Sequence, residues 1–246
     1  MKFLTLTAAF LLATAGFAQN DQMVFKPAYT RFKVGLNVTP DMGYRIITLS
    51  SSTSASALFE SIKKDRDESE IPKMGFSAGV TVNFNFSKKI GLETGLQYAS
   101  RGYTYKNGEL IYLMIDPALK PENLEIRYNW NYLEIPLRFV FTSGEKKVKF
   151  LASAGATGGF FMNAQQSTFV KYEDGSEKKT TDELNGSFQQ ITISPLLSLG
   201  AEYQVSQHFH LRFEPIVRYA VQSLVDSPLK TNLVSAGLLV SCYVAF

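Results

Sequence analysis

Between Lys73 and Phe86 the chain alternates without a fault. Met74, Phe76, Ala78, Val80, Val82, Phe84 and Phe86 take one parity; Gly75, Ser77, Gly79, Thr81, Asn83 and Asn85 take the other. Successive side chains of an extended strand point to opposite faces, so this pattern specifies a strand with one apolar face and one small, polar face. Similar segments recur at about 31–38, 90–105, 125–141, 148–163, 188–204, 209–221 and 231–246, which makes an all-β chain of eight antiparallel strands. After the N-terminal leader no apolar run reaches the ~18 residues of a spanning helix. A membrane form of this chain has to be a closed barrel, because only closure pairs every backbone N–H and C=O within lipid.

The connections alternate in length. Residues 39–72, 106–124 and 164–187 are long, 87–89, 142–147 and 205–208 are short, and 222–230 is intermediate. Short turns on one side and long loops on the other are the arrangement of an outer-membrane barrel, with turns in the periplasm and loops outside. A soluble lipocalin-type barrel shows the same alternation with its apolar face inward, and the aromatic residues choose between the two. With the first strand running outward, Phe32, Phe84, Phe86, Phe139, Phe141, Phe150, Tyr203, Phe209 and Phe246 fall at the periplasmic ends of the apolar face. Phe76, Tyr98, Tyr128, Trp130, Phe160 and Tyr219 fall at the opposite ends. Two aromatic girdles around an aliphatic band belong to a membrane barrel.

The N-terminus reads as an export signal. Lys2 is a minimal basic region, Phe3 to Leu12 an apolar core, and Gly16-Phe17-Ala18 a small-x-small cleavage site, so cleavage is expected between Ala18 and Gln19. The expected organisation is a signal peptide over 1–18, a periplasmic segment over 19–30 and the barrel over 31–246. Removing the leader takes one of 25 basic residues and none of the 22 acidic ones, a balance that excludes a nucleic-acid-binding surface. Cys242 is the sole cysteine, so no internal disulfide forms.

The inward parity carries glycine, serine and threonine, and also Glu93, Arg101, Glu134, Arg138, Lys149, Glu202, Arg212, Glu214 and Arg218. An eight-stranded barrel has room only for its own side chains. The structural charge network is therefore expected to comprise Glu93, Glu134, Arg138, Glu202, Arg212, Glu214 and Arg218, filling a polar lumen, with Glu93 meeting Arg138 and Glu202 meeting Arg212. The alternative is an ion or proton path along the same charges. A parity change after Tyr132 predicts a β-bulge there, followed by Pro136. Pro195 and Pro215 fall at nearly the same height on neighbouring strands, two lost donors for which the pattern offers no reason.

The only histidines, His208 and His210, lie at a periplasmic turn, roughly a 25 Å membrane thickness from the outer rim where barrel hydrolases work; both are expected to be dispensable. A lone H-x-H does not make a zinc set, so neither metal nor cofactor is expected. Within the long connections, Leu58 and Ile62 at i,i+4 suggest a short helix, and Asp174-Gly175 a hairpin turn, so that the fifth and sixth strands project beyond the bilayer as a ribbon.

The leader, the eight alternating strands, the C-terminal aromatic and the stretch NYLEIPLRF (Asn131 to Phe139) together resemble the PorT-like outer-membrane β-barrel family of Bacteroidota. The resemblance implies a barrel in the outer membrane. It also implies a terminal strand, with Tyr243 and Phe246, read as a signal by the barrel-assembly machinery. It supplies no catalytic residues. The reading is a non-enzymatic barrel surrounded by outer-membrane lipid, with an interaction, structural or secretion accessory role. An envelope protein partner is expected to act through 39–72 and 164–187. A narrow transport pore is the alternative, and a rim enzyme acting on lipid A or protein the more distant one.

Overall fold

The computed structural model describes residues 30–49, 56–106, 121–144, 147–186, 188–224 and 229–246; the leader, its cleavage site and most of the segment over 19–30 lie outside them. Among these described residues nine strands and one helix follow in order: β1 (Phe32–Leu49), α1 (Ser56–Ser69), β2 (Glu70–Asn85), β3 (Ile90–Lys106), β4 (Pro121–Ser143), β5 (Val148–Tyr172), β6 (Glu177–Glu183), β7 (Ile191–Gln204), β8 (Phe209–Tyr219) and β9 (Leu229–Ala245). Eight of them form an antiparallel ring in the order β1, β2, β3, β4, β5, β7, β8, β9, closed by the long ladder between β1 and β9. The barrel is therefore eight-stranded, and β6 is an additional strand paired with the upper part of β5.

The faces are inverted relative to a soluble protein. Leu199 is 68% exposed and Phe246 75%, whereas Glu214 is 0% exposed. Apolar residues form the outer wall and the charges lie inside, as a lipid-embedded barrel requires. At the periplasmic end the Phe246 ring lies 6.4 Å from that of Phe32, and Phe84 packs edge-on against Phe86.

Four sequence expectations need correction. The connection placed at 39–72 is mostly regular structure: β1 continues to Leu49, β2 begins at Glu70, and α1 occupies the span where a helix is expected. Pro40 disguised this extension. It is tolerated because it coincides with a gap in the β1–β9 ladder between Val38 and Asp41, while its pairing with β2 continues. Second, Tyr128 and Trp130 are not in the outer girdle. They share the inward parity of Tyr132, Glu134 and Arg138, so β4 runs through Tyr132 without a change of face. Third, the expected irregularity is present at that height but across the ladder. Asn131 pairs with Asn163 and Tyr132 with Phe161, so the extra residue is Met162 of β5. Fourth, Pro195 and Pro215 are not level. The β7–β8 register places Pro215 at an interruption between Ser198–Ile216 and Ala201–Phe213, and Pro195 just beyond the last pair, Leu196–Arg218. Each lost donor falls where that ladder is already open, so no paired carbonyl is orphaned.

Close strand packing depends on inward glycines. A Cβ on Gly155 would lie 2.1 Å from the Leu137 carbonyl oxygen and 2.6 Å from the Arg138 Cα, whereas at the lipid-facing Gly158 the nearest atom is 4.0 Å away. Gly155→Val is expected to prevent closure, abolishing the compact, heat-modifiable band in a gel of unboiled protein. Gly158→Ala should leave that band intact.

Candidate functional site

The lumen is filled by three tiers of paired charges. In the periplasmic tier, Arg138 donates to Glu93 through Nε at 2.8 Å and to Glu214 through Nη1 at 2.9 Å. Arg212 donates to Glu93 at 2.6 Å and to Glu202 at 2.8 Å, and Lys33 reaches Glu202 at 2.6 Å. The Tyr243 hydroxyl donates to Glu93 at 2.8 Å, and Ser198 donates to Glu214. The expected pairs Glu93–Arg138 and Glu202–Arg212 are thus brought together, but neither is isolated: each arginine bridges two carboxylates.

The middle tier joins Arg101 to Glu134, assisted by Gln97 at 2.7 Å, and to Asp41 at 3.0 Å. Arg218 stands 3.5 Å from Asp41. In the tier at the mouth, Arg45 pairs with Glu70 and with Asp67 of α1, and Arg66 donates to Glu70 at 2.7 Å and to the Tyr103 hydroxyl at 3.1 Å. Among these named groups each tier balances: Lys33, Arg138 and Arg212 face Glu93, Glu202 and Glu214; Arg101 and Arg218 face Glu134 and Asp41; Arg45 and Arg66 face Glu70 and Asp67. A buried charge is tolerated when it is paired and hydrogen-bonded. Between the middle tier and the mouth, Tyr103, Trp130, Tyr132, Ala164, Ala220, Leu224 and Leu233 form an apolar layer across the lumen. Voids beside Arg218 measure about 20 Å³ and 10 Å³, each room for about one water.

Sequence reasoning located the inward charges on the later strands and missed Lys33, Asp41, Arg45, Glu70 and the half-buried Lys73. The signal was available for four of them: Lys73 shares the parity of Gly75, and Lys33, Asp41 and Arg45 that of Gly35 and Asn37; Lys33 lies within the strand expected over 31–38, while Pro40 concealed the continuity to Asp41 and Arg45. Tyr243 occupies the lumen rather than the lipid face, while Phe246 faces outward. The histidines separate. His208 is exposed in its turn, whereas His210 lies within β8, buried with Nδ1 3.1 Å from Glu202, a correction to the expectation that both lie at the turn. Among the described residues, no group of three or more His, Cys, Asp or Glu side chains could hold a metal ion.

Above the ring, the outer parts of β4 and β5 continue with β6 as a projecting sheet. β5 is 25 residues long, well over the roughly 9–11 that cross a bilayer. Its hairpin turn has Gly175 at φ 80°, a left-handed conformation that glycine adopts without strain. Asp174 accepts from the Ser176 N–H at 2.8 Å and from its hydroxyl at 2.6 Å, which holds the carboxyl below the usual aspartate range. A depressed folded-state value means that this stabilisation is present at neutral pH and is lost only as acid protonates Asp174.

A family model described as outer membrane protein beta-barrel domain matches residues 17–240. The chain belongs to that family, and its place is the outer membrane. Among solved structures it is similar to Neisserial surface protein A (15% identity, 87% of this chain and 97% of that one, TM-score 0.43). It is also similar to OprG from Pseudomonas aeruginosa (12%, 87% and 95%, 0.43) and to Ail, the attachment invasion locus protein of Yersinia pestis (11%, 87% and 98%, 0.37). No curated protein matches the chain.

The shared arginines define the expected mutational pattern. Arg138→Ala leaves Glu93 and Glu214 short of a partner and should destabilise the barrel by about 3–5 kcal/mol, measured by urea unfolding in detergent. The charge-neutral double change Glu93→Gln, Arg138→Gln should cost less. In the same assay His210→Ala should lower stability by about 1–3 kcal/mol and His208→Ala should have no effect.

Proposed function

We propose that this chain is a non-conducting, non-enzymatic outer-membrane barrel that binds an envelope or external protein partner through its projecting surface. The observation that supports this reading is the contrast between interior and exterior. Inside, tiers of ion pairs and an aromatic layer fill the lumen among the described residues, and the voids beside Arg218 hold about one water each. Outside, β5 and β6 carry a paired, regular sheet well past the bilayer. A filled lumen offers a small molecule no passage, whereas a rigid sheet on loops above a membrane scaffold is suited to recognition. The expected partner regions become specific in this arrangement: α1 and the tops of β1 and β2 within 39–72, and the β5–β6 hairpin within 164–187. The stretch Asn131 to Phe139 supports the finer placement among PorT-like barrels of Bacteroidota, with a secretion or assembly accessory role as one form of partner binding. Recognition of Phe246 by the barrel-assembly machinery is part of the same proposal.

The two parts are tested separately. Purified barrel in planar bilayers is expected to give no steady unitary conductance; reproducible open steps would favour the narrow pore. Photo-cross-linkers at Arg127 and at β6 positions in intact cells are expected to yield one discrete adduct, absent with cross-linkers at lipid-facing Leu199. Adducts at neither site would remove the support for a partner at the projecting sheet.

A further inference from the structure

We propose that the free edge of β6 is a strand-addition site, at which an extended segment of the partner polypeptide pairs antiparallel with Glu177–Glu183 through main-chain hydrogen bonds. This rests on the reading that the projecting sheet is the working surface.

The register identifies which backbone groups are available. Leu184 N–H donates to the Ala164 carbonyl at 2.9 Å and Tyr172 N–H to the Ser176 carbonyl at 2.9 Å, and the ladder between them runs from Gln165–Glu183 to Lys171–Glu177. Hydrogen-bonded and non-hydrogen-bonded pairs alternate along an antiparallel ladder, so Lys178, Thr180 and Asp182 turn their N–H and C=O toward β5. Glu177, Lys179, Thr181 and Glu183 turn theirs away. Lower on β5 that side is taken by β7, whose pairing ends at Ile191–Phe160; among the described residues no strand pairs with the outer edge of β6. A row of unpaired donors and acceptors is a template for another strand.

The edge is also ordered in charge and held in place. Lys178 and Lys179 lie at one end, Asp182 and Glu183 at the other, and every residue of β6 is exposed. Such charges discourage indiscriminate pairing, and they select a partner. An antiparallel segment with basic residues first and acidic residues after sets opposite charges against each other at both ends. The Arg127 guanidinium lies 4.3 Å, and the Lys179 ammonium 5.3 Å, from the centre of the Phe169 ring, tying β4, β5 and β6 together. A second copy in the same membrane does not meet the requirement. Antiparallel pairing of two identical strands needs a two-fold axis perpendicular to them, whereas β6 climbs away from a membrane whose normal is the shared axis.

The probe is a fluorescent, end-blocked peptide of the β6 sequence itself, EKKTTDE, which pairs antiparallel with its residue 181 opposite Thr181, so that its second lysine faces Glu183 and its last glutamate faces Lys179 with no like charges opposed. Binding to the full-length barrel in lipid nanodiscs is followed by anisotropy. Saturable binding is expected. Thr181→Pro removes only an outward N–H and should weaken it about tenfold or more, while Thr181→Ala stays within about twofold. A peptide with acidic residues first and basic residues last should bind more weakly than EKKTTDE. Hydrogen exchange at the Val170 and Lys178 amides reports whether the hairpin survives the proline. If it does not, the same peptide N-methylated at alternate residues, tested on the unaltered chain, decides, and it should lose binding. Absence of saturable binding, equal binding to Thr181→Pro with its hairpin intact, or equal binding of the N-methylated peptide overturns the proposal. The two readings fail differently. An Arg127 adduct that persists undiminished in Thr181→Pro cells keeps the sheet as a contact surface and refutes edge pairing, while absence of every sheet adduct in cells carrying the unaltered chain refutes both.

Discussion

Everything in this structure depends on the rule that a backbone N–H or C=O inside lipid must be paired within the protein. A single open edge in the bilayer would expose a row of such groups, so the first and last strands have to find each other. The ladder from Lys33–Ala245 to Leu49–Leu229 does this, with the Phe246 N–H donating to the Phe32 carbonyl at its foot. The same rule explains where the prolines lie. Pro40 and Pro215 occupy gaps in ladders whose neighbouring residues remain paired, so closure survives their missing donors.

Closure around eight strands then dictates the interior. The ring is too narrow for water to solvate charges, and too short of apolar inward residues to form an oily core. Charges placed inside have to neutralise one another locally. The arginines make this possible because a planar guanidinium can serve two carboxylates at once, as Arg138 does for Glu93 and Glu214, and Arg212 for Glu93 and Glu202. The result is a cross-braced plug that links strands distant in sequence. A scaffold held from within leaves the outer parts of β4, β5 and β6 free to extend beyond the membrane without weakening the wall.

The legibility of the chain follows from how local each signal is. The period-two pattern of Lys73–Phe86 is visible within a few residues, and so are the turn at Asp174-Gly175 and the helix around Ile62; all three elements are present. Tyr128 and Trp130 were misleading because aromatic residues suit both a lipid girdle and an apolar layer inside the mouth. Only the unbroken parity of β4, with its bulge displaced to Met162, separates the two. Asp41 and Arg45 were hidden by the ordinary meaning of Pro40 as a strand breaker, whereas Lys33 stood in plain view on the inward parity of the first strand. The edge of β6 was legible only as a hairpin: a sequence shows that a strand exists but not which of its sides the described strands leave uncovered.

By itself the sequence determined the number of strands in the ring, the parity that faces lipid and the presence of charges on the other parity. Each of these follows from alternation along one strand, and alternation is a local property. Only the tertiary structure decided which charges meet. Pairing such as Arg212 with Glu93 depends on register carried around the ring through several ladders, and one displaced residue on one strand changes every cross-lumen neighbour above it. The same long-range registers set the pairing within the tiers and the place where β7 stops short, so that among the described residues β6 is paired on its β5 side alone.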